Sequence, residues 1–566
     1  MSSSRWTHLF ALLGASLILA ATFPGRAQEQ QPSLPEIQSQ EYTIIGLEKI
    51  VLPKKQRLHL TRSIALQWSD FNHRQAKQPV QSFFPFSRFK PVFLNQENYP
   101  VLRVFAGGGS FTTLEGGLFV QKRFPDASPF LDVRWGDSEG HTTHAGWTRF
   151  VSQGGVDVPL QAGGLLSVTG GFTLGQQELW APRLVAWRRV RFDRQHLSGE
   201  VQWNQPWGRR WHTTVSLQGT NHLLKRVFRT EQTSLLSRAE LQFRSGSLSV
   251  QGAGRYWQVT TDRQRPLLPL DGQPVSPEKQ THRLWSCSLL AGGSTGILGL
   301  KLGILFQTLD PENGWRENRV FARAELSLQP APQLNLFVRY RPGFDFLPLQ
   351  TLLDEHRASD LTGYQPTEYK HRVTGGIDWQ TPLGLRTRAA VSFLRADNYP
   401  ALRQGLGTLV AADTLPLWLY TYLPEARLWR YSVQAGWSDR KRVDVHVLAS
   451  YWKSRVNGLD EKAQPIRNRE LPHLPDLTAR AVVRLHLMGG SWVEASLHYA
   501  GRRFQDLANR RRLDGYVLLN ARLHLALLPH LALRFYGENL TDRGYQLYSE
   551  YAAPGIAAGG RLMVTF

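Results

Sequence analysis

From Val517 to Leu527 every odd position is apolar, while the even positions include Asn520, Arg522 and His524. A period of two puts the apolar side chains on one face of a strand and the charged ones on the other. Leu528-Pro529-His530 breaks the pattern, and Leu531, Leu533 and Phe535 restart it with Arg534, Tyr536 and Glu538 opposite. This predicts a hairpin with a very short turn. The chain ends on a further run, Leu562, Val564 and Phe566 against Arg561, Met563 and Thr565.

The same alternation recurs upstream. Ala239, Leu241 and Phe243 oppose Arg238, Glu240 and Arg244. Val320, Ala322, Ala324 and Leu326 oppose Arg323 and Glu325. Leu334, Leu336 and Val338 oppose Asn335 and Arg339. Val443, Val445 and Val447 oppose Arg442, Asp444 and His446, and Ala479, Ala481 and Val483 oppose Arg480 and Arg484. Runs of about ten residues suit a bilayer crossed at a tilt. The polar face, rich in Arg and Glu, suits a wet lumen. Short breaks such as Ser245-Gly246, Gly489-Gly490 and Pro529 alternate with long ones near 261–279, 342–369, 398–426 and 455–472, as in a barrel with short turns at one end and long loops at the other. Counting back from Phe566 gives about 22 strands over residues 101–566. The expected fold is an all-β, transmembrane, antiparallel up-and-down barrel with both termini in the periplasm.

Composition agrees. Hydrophobic content is 42%. The longest apolar run, Leu9 to Ala21 after Arg5, is too short to span a bilayer as a helix and reads as a signal peptide over residues 1–27. Cys287 is the one cysteine, so no internal disulfide can form, and its place between Trp285 and Leu289 makes it a packed or lipid-facing residue. The 18 Trp and 17 Tyr would form interfacial girdles. The formal net charge of +22 would in a cytoplasmic protein suggest nucleic acid. In an exported barrel it points to lipid headgroups, lipopolysaccharide and anionic solutes.

The C-terminal stretch Asn539-Leu540-Thr541-Asp542, followed by Tyr545, Pro554-Gly555 and a terminal Phe566, resembles the end of TonB-dependent outer-membrane receptors. The resemblance implies a 22-stranded barrel that moves a solute across the outer membrane, recognition of Phe566 by the barrel-assembly machinery, and an N-terminal box that pairs with TonB by strand addition. Glu41, Tyr42, Thr43, Ile44 and Ile45 are the candidate box. The family's plug domain has no counterpart here, since residues 28–100 are too few. The lumen is expected to be closed first by this N-terminal segment, with the connections 342–369 and 398–426 or a separate plug-like protein as alternatives. A passive, porin-like channel and a non-transporting surface barrel that binds a partner are the competing functions.

No catalytic, metal or cofactor motif stands out. His141 and His144, joined by no cysteine and no carboxylate cluster beyond Asp137 and Glu139, read as exposed loop residues, and Gly107-Gly-Gly109 opens no helix. Asp444 with His446 and Glu494 with His498 read as wall charges, not catalysts. The candidate functional residues are therefore the lumen-facing set: Arg238, Glu240, Arg244, Arg323, Glu325, Arg339, Arg442, Asp444, Arg480, Arg484, Arg522, Arg534, Glu538 and Arg561. Their excess of Arg favours an anionic solute.

Overall fold

The structure, a computed structural model, describes residues 101–566 except 123, 142–144, 180–189, 226–228, 265–277, 313, 315, 348–358, 362–364, 382–383, 407–415, 440–441, 461–463 and 549–550. The expected signal peptide, the N-terminal segment, the candidate box Glu41–Ile45 and His144 lie outside the described residues.

Twenty-two antiparallel staves form one closed sheet. They are β1 Val101–Gly109, β2 Thr113–Gln121, β3 Ser128–Ser138, β4 Trp147–Pro159, β5 Leu165–Leu179, β6 Val190–Trp207, β7 Trp211–Lys225, β8 Arg229–Ser245, β9 Leu248–Gln264, β10 Glu278–Thr295 and β11 Leu298–Pro311. The second half comprises β12 Glu317–Ala331, β13 Leu334–Tyr340, β14 Thr367–Gln380, β15 Arg386–Asp397, β16 Glu425–Ser438, β17 Val443–Leu459, β18 Leu477–His486, β19 Trp492–Ala500, β20 Tyr516–Leu528, β21 Leu531–Glu538 and β22 Ala557–Thr565. Each pairs with its neighbours in sequence, and β1 pairs with β22 from Arg103↔Thr565 to Gly109↔Gly559 to close the ring. Closure removes the free edges that a sheet would otherwise expose. The all-β, 22-stranded barrel expected from the alternation is the fold observed.

Side-chain alternation sets the two faces. Leu298, Leu300, Leu302, Ile304 and Phe306 of β11 point outward, Leu302 at 56% exposure, and Val320 of β12 is 68% exposed. Such apolar exposure is the mark of a lipid-facing wall. Cys287 also faces outward. Aromatic pairs belt this face at both ends: Trp211 with Phe243 (4.6 Å) near the short turns, and Tyr256 with Trp285 (4.2 Å) and Phe393 with Trp429 (4.5 Å) nearer the long loops.

The strands are unequal. β6 and β10 run for 18 residues and β9 for 17, whereas β1, β2, β19 and β22 have 9 and β21 has 8. The alternation predicts the long-loop ends of β6 to β9 near 197, 221, 232 and 260, three to seven residues nearer the short-turn end than the structure has them. The extra residues lie beyond the apolar band, where no lipid demands an apolar face.

Candidate functional site

Two of the long connections turn into the barrel. After β13 the chain continues as Gly343–Asp345, paired with the start of β14. The lumen-facing Gln307 of β11 holds this segment at both main-chain groups: Phe344 N–H donates to Gln307 Oε1 (2.7 Å), and Gln307 Nε2 donates to Phe344 O (3.1 Å). Gly343 (φ 141°) permits the approach, since a Cβ there would lie 2.7 Å from Gln307 Oε1. Phe344 and Phe346 then pack against wall residues Leu224, Trp257, Val259, Leu284 and Leu309.

The connection between β15 and β16 forms an antiparallel hairpin, Tyr399–Leu406 with Pro416–Leu423, and Ser359–Leu361 adds to it in parallel. Leu402 and Tyr420 of this hairpin join the cluster on β7 to β11, while Tyr399, Ala401 and Leu423 join a second cluster with Leu394, Leu428, Trp452 and Ile466 on β15 to β17 and the next loop. The hairpin therefore leans across the long-loop mouth, from the wall it springs from to a wall several staves away. Burying side chains as large as Tyr399 and Phe346 almost completely contributes about 1.5–3 kcal/mol each, so this closure is a packed structure.

Below the mouth the lumen is polar. Arg238 bonds Glu240 (2.6 Å), and Glu325 takes Arg341 (2.5 Å). Arg339 lies over the Phe337 ring (5.0 Å), with Arg323 facing the same lumen, and Arg388 pairs with Asp378. Arg244 ends the row on β8, while Arg442 occupies the turn before β17. Asp444 pairs with His486 (2.7 Å), not with His446, and Glu494 takes Arg484 (2.6 Å) and Arg522 (3.4 Å), not His498. Arg480 stands opposite His498 in the register of β18 and β19. Arg534 and Arg561 are direct partners on β21 and β22, and Glu538 closes the lumenal row of β21. The sequence reading missed Arg103 and Glu115. They sit on β1 and β2, where Gly107–Gly109 and Gly116–Gly117 interrupt the alternation.

The C-terminal motif is a tied loop. Asn539 adopts a positive φ of 48°; its amide donates to Arg543 O and Pro554 O, and its Oδ1 accepts from Arg543 N–H. Asp542 accepts from Ile556 N–H (2.8 Å), while Leu540 N–H bonds Leu519 O and Thr541 continues the turn. Tyr545 packs 4.5 Å from Tyr516, and its burial pushes the phenol pKa up. Phe566 exchanges both main-chain hydrogen bonds with Leu102 and points outward, 66% exposed. No group of three or more acidic, His or Cys side chains able to hold a metal occurs among the described residues.

The family model described as TonB dependent receptor-like, beta-barrel matches residues 66–540. No curated protein sequence matches the chain. Among solved structures, the siderophore receptor PiuA from Acinetobacter baumannii is similar at 13% identity and a TM-score of 0.63, with 83% of this chain and 82% of that one covered. The FrpB iron transporter from Neisseria meningitidis is similar at 8% identity and a TM-score of 0.66, with the same coverage. The pyoverdine receptor FpvA from Pseudomonas aeruginosa is similar at 13% identity and a TM-score of 0.63, with 83% and 79% covered. At these identities the likeness is one of fold.

Proposed function

The chain belongs to the TonB-dependent receptor family, and on that premise we propose that it takes up a solute across the bacterial outer membrane through a lumen gated at the mouth by its own loops. In this reading the short turns and both termini face the periplasm and the long loops face outside. The observation that carries the proposal is the hairpin 399–423, whose apolar side chains engage two separate walls inside the mouth. An inward-packed hairpin would narrow a passive pore as well, but a receptor in addition needs a closed state that ligand or partner can open, and a hairpin anchored to two walls supplies one. The matched structures bear the names of receptors and transporters for siderophores and iron, which supports uptake over enzymatic work. TonB, engaged through Glu41–Ile45, is the proposed source of energy, with a separate plug-like protein as the second partner.

The test compares cells with and without the protein for depletion of solutes from the medium, each with and without a protonophore. Depletion that needs both the protein and the proton gradient supports gated uptake. Depletion indifferent to the protonophore would make the protein a passive channel, and no depletion would leave a binding scaffold.

A further inference from the structure

Where the last five staves meet the first two, the lumenal wall carries more cation than its own carboxylates can balance. One cross-strand row reads Trp492, His524, Arg534, Arg561, Gly107 and Glu115. The row above it, toward the long loops, reads Arg484, Glu494, Arg522 and Tyr536. Arg103 projects from β1 below, within electrostatic reach of both Arg534 and His524. Five guanidinium groups thus face two carboxylates in these rows. Glu494 is taken by Arg484 and Arg522, and Glu115 by Arg561. Neither Arg103 nor Arg534 forms an ion pair among the described residues, although Arg534 lies within electrostatic reach of Glu115, whose Oε2 is also buried and unbonded. The Nε atoms of Arg103 and Arg534 are buried and unbonded, as is Nδ1 of His524. Trp492 forms a flat flank beside them, with the Arg484 guanidinium 4.5 Å and the Arg534 guanidinium 5.5 Å from its ring.

Holding like charges together with unfilled donors is costly unless something compensates. The compensating group must be negative and rich in acceptors, and a planar guanidinium presents two parallel donors matched to an oxyanion. We propose that this wall, at the seam of the barrel, is a binding subsite for the oxyanion of a solute, a phosphate or a carboxylate group, with Arg103 and Arg534 as its main ligands and Trp492 as its apolar flank. The subsite deepens the uptake reading and rests on it only in treating the anion as part of the transported solute.

The test is calorimetric titration of the purified full chain in detergent with inorganic pyrophosphate and with tricarballylate, at constant ionic strength. Saturable binding of either probe is expected, and the preferred one assigns phosphate or carboxylate. Arg534→Gln and Arg103→Gln should each weaken it about tenfold or more, the loss of one charge-assisted bond. Lys301→Gln, on β11 across the barrel from the seam, should bind like the parent. Heat-modifiable migration reports folding. If Arg534→Gln does not fold, Arg534→Lys keeps the charge, loses the fork, and should still bind several-fold more weakly. Absence of saturable binding, or parental affinity in folded Arg534 and Arg103 variants, overturns the subsite. Uptake is scored separately: uptake without binding sinks this inference alone, and binding without uptake sinks the transport reading.

Discussion

Arg561 on the last stave ion-pairs with Glu115 on the second, reaching over Gly107 of the stave between them. The Glu115 side chain is 2% exposed. A Cβ at position 107 would lie 2.7 Å from Arg561 Cγ and 3.0 Å from Glu115 Oε1, so the pair exists because that position has no side chain. Removing one partner of a buried pair strands the other charge, at about 3–5 kcal/mol. Glu115→Ala should lower the urea midpoint of the heat-modifiable form accordingly, and Gly107→Val should do so by crowding. Midpoints unchanged in both variants would show that the pair does not secure the seam.

The mouth hairpin gives a second prediction. Replacing residues 399–423 with a short Gly-Ser linker removes the hairpin that contributes residues to both lumenal apolar clusters. Single-channel conductance in planar bilayers should rise, and cells should become more sensitive to large antibiotics. Conductance equal to the parent's would move the closure elsewhere, to residues outside those described or to a partner protein.

Neighbouring positions on β19 test the two faces of the wall. Leu497 is 42% exposed on the outer face, and Arg there should cost about 2–4 kcal/mol near the bilayer midplane. Ser496, facing the lumen, should accept Arg with little loss. Folding yields into lipid vesicles report the difference. Equal sensitivity at the two sites would contradict a membrane on the Leu497 side.

Glu425, at the long-loop end of β16, carries a pH dependence. Its carboxylate is held below the ordinary value of 4.5, chiefly by hydrogen bonds from Arg427 (2.7 and 2.9 Å), with partial burial opposing and Asn457 (2.8 Å) and Arg395 (3.2 Å) adding to the effect. A depressed folded-state pKa gives stability that is complete above the unfolded value and lost as pH falls through the folded one. The melting-temperature gap between parent and Glu425→Gln should be open at neutral pH and close on acidification below about 4.5. A gap that widens in acid would reverse the assignment. Half-exposed Arg427 keeps the effect small through solvent screening.

The order of the staves was legible because the bilayer enforces a single rule, apolar outward, over the middle of most of them. The first few are weakly patterned, and glycine runs blur the rule on β1 and β2. Val443, Val445 and Val447 against Asp444 and His446 show it plainly. The rule lapses beyond the lipid, which hid the upper parts of β6 to β9. It also gives no account of apolar residues on the lumenal face. Leu224, Trp257 and Leu284 look like noise in the alternation until Phe344, Phe346, Leu402 and Tyr420 are placed against them. The charged lumenal rows were legible stave by stave but not as pairs. Glu115 and Arg561 are 446 residues apart in sequence, and only closure of the ring makes them neighbours. The Asn539–Asp542 run was legible as turn chemistry, and its bonds to 554 and 556 explain why Pro554-Gly555 accompanies it.

The unequal staves also shape the rim. At about 3.3 Å per residue, 17 or 18 residues in β6, β9 and β10 reach well past the band that 8 or 9 residues of β19, β21, β22, β1 and β2 can span. The staves thus stand tall on one flank and short on the other. Over the short flank, where Arg103 and Arg534 lie below, the height is made up by connecting chain, with the loop tied by Asn539 and Asp542 packed through Tyr545 against Tyr516.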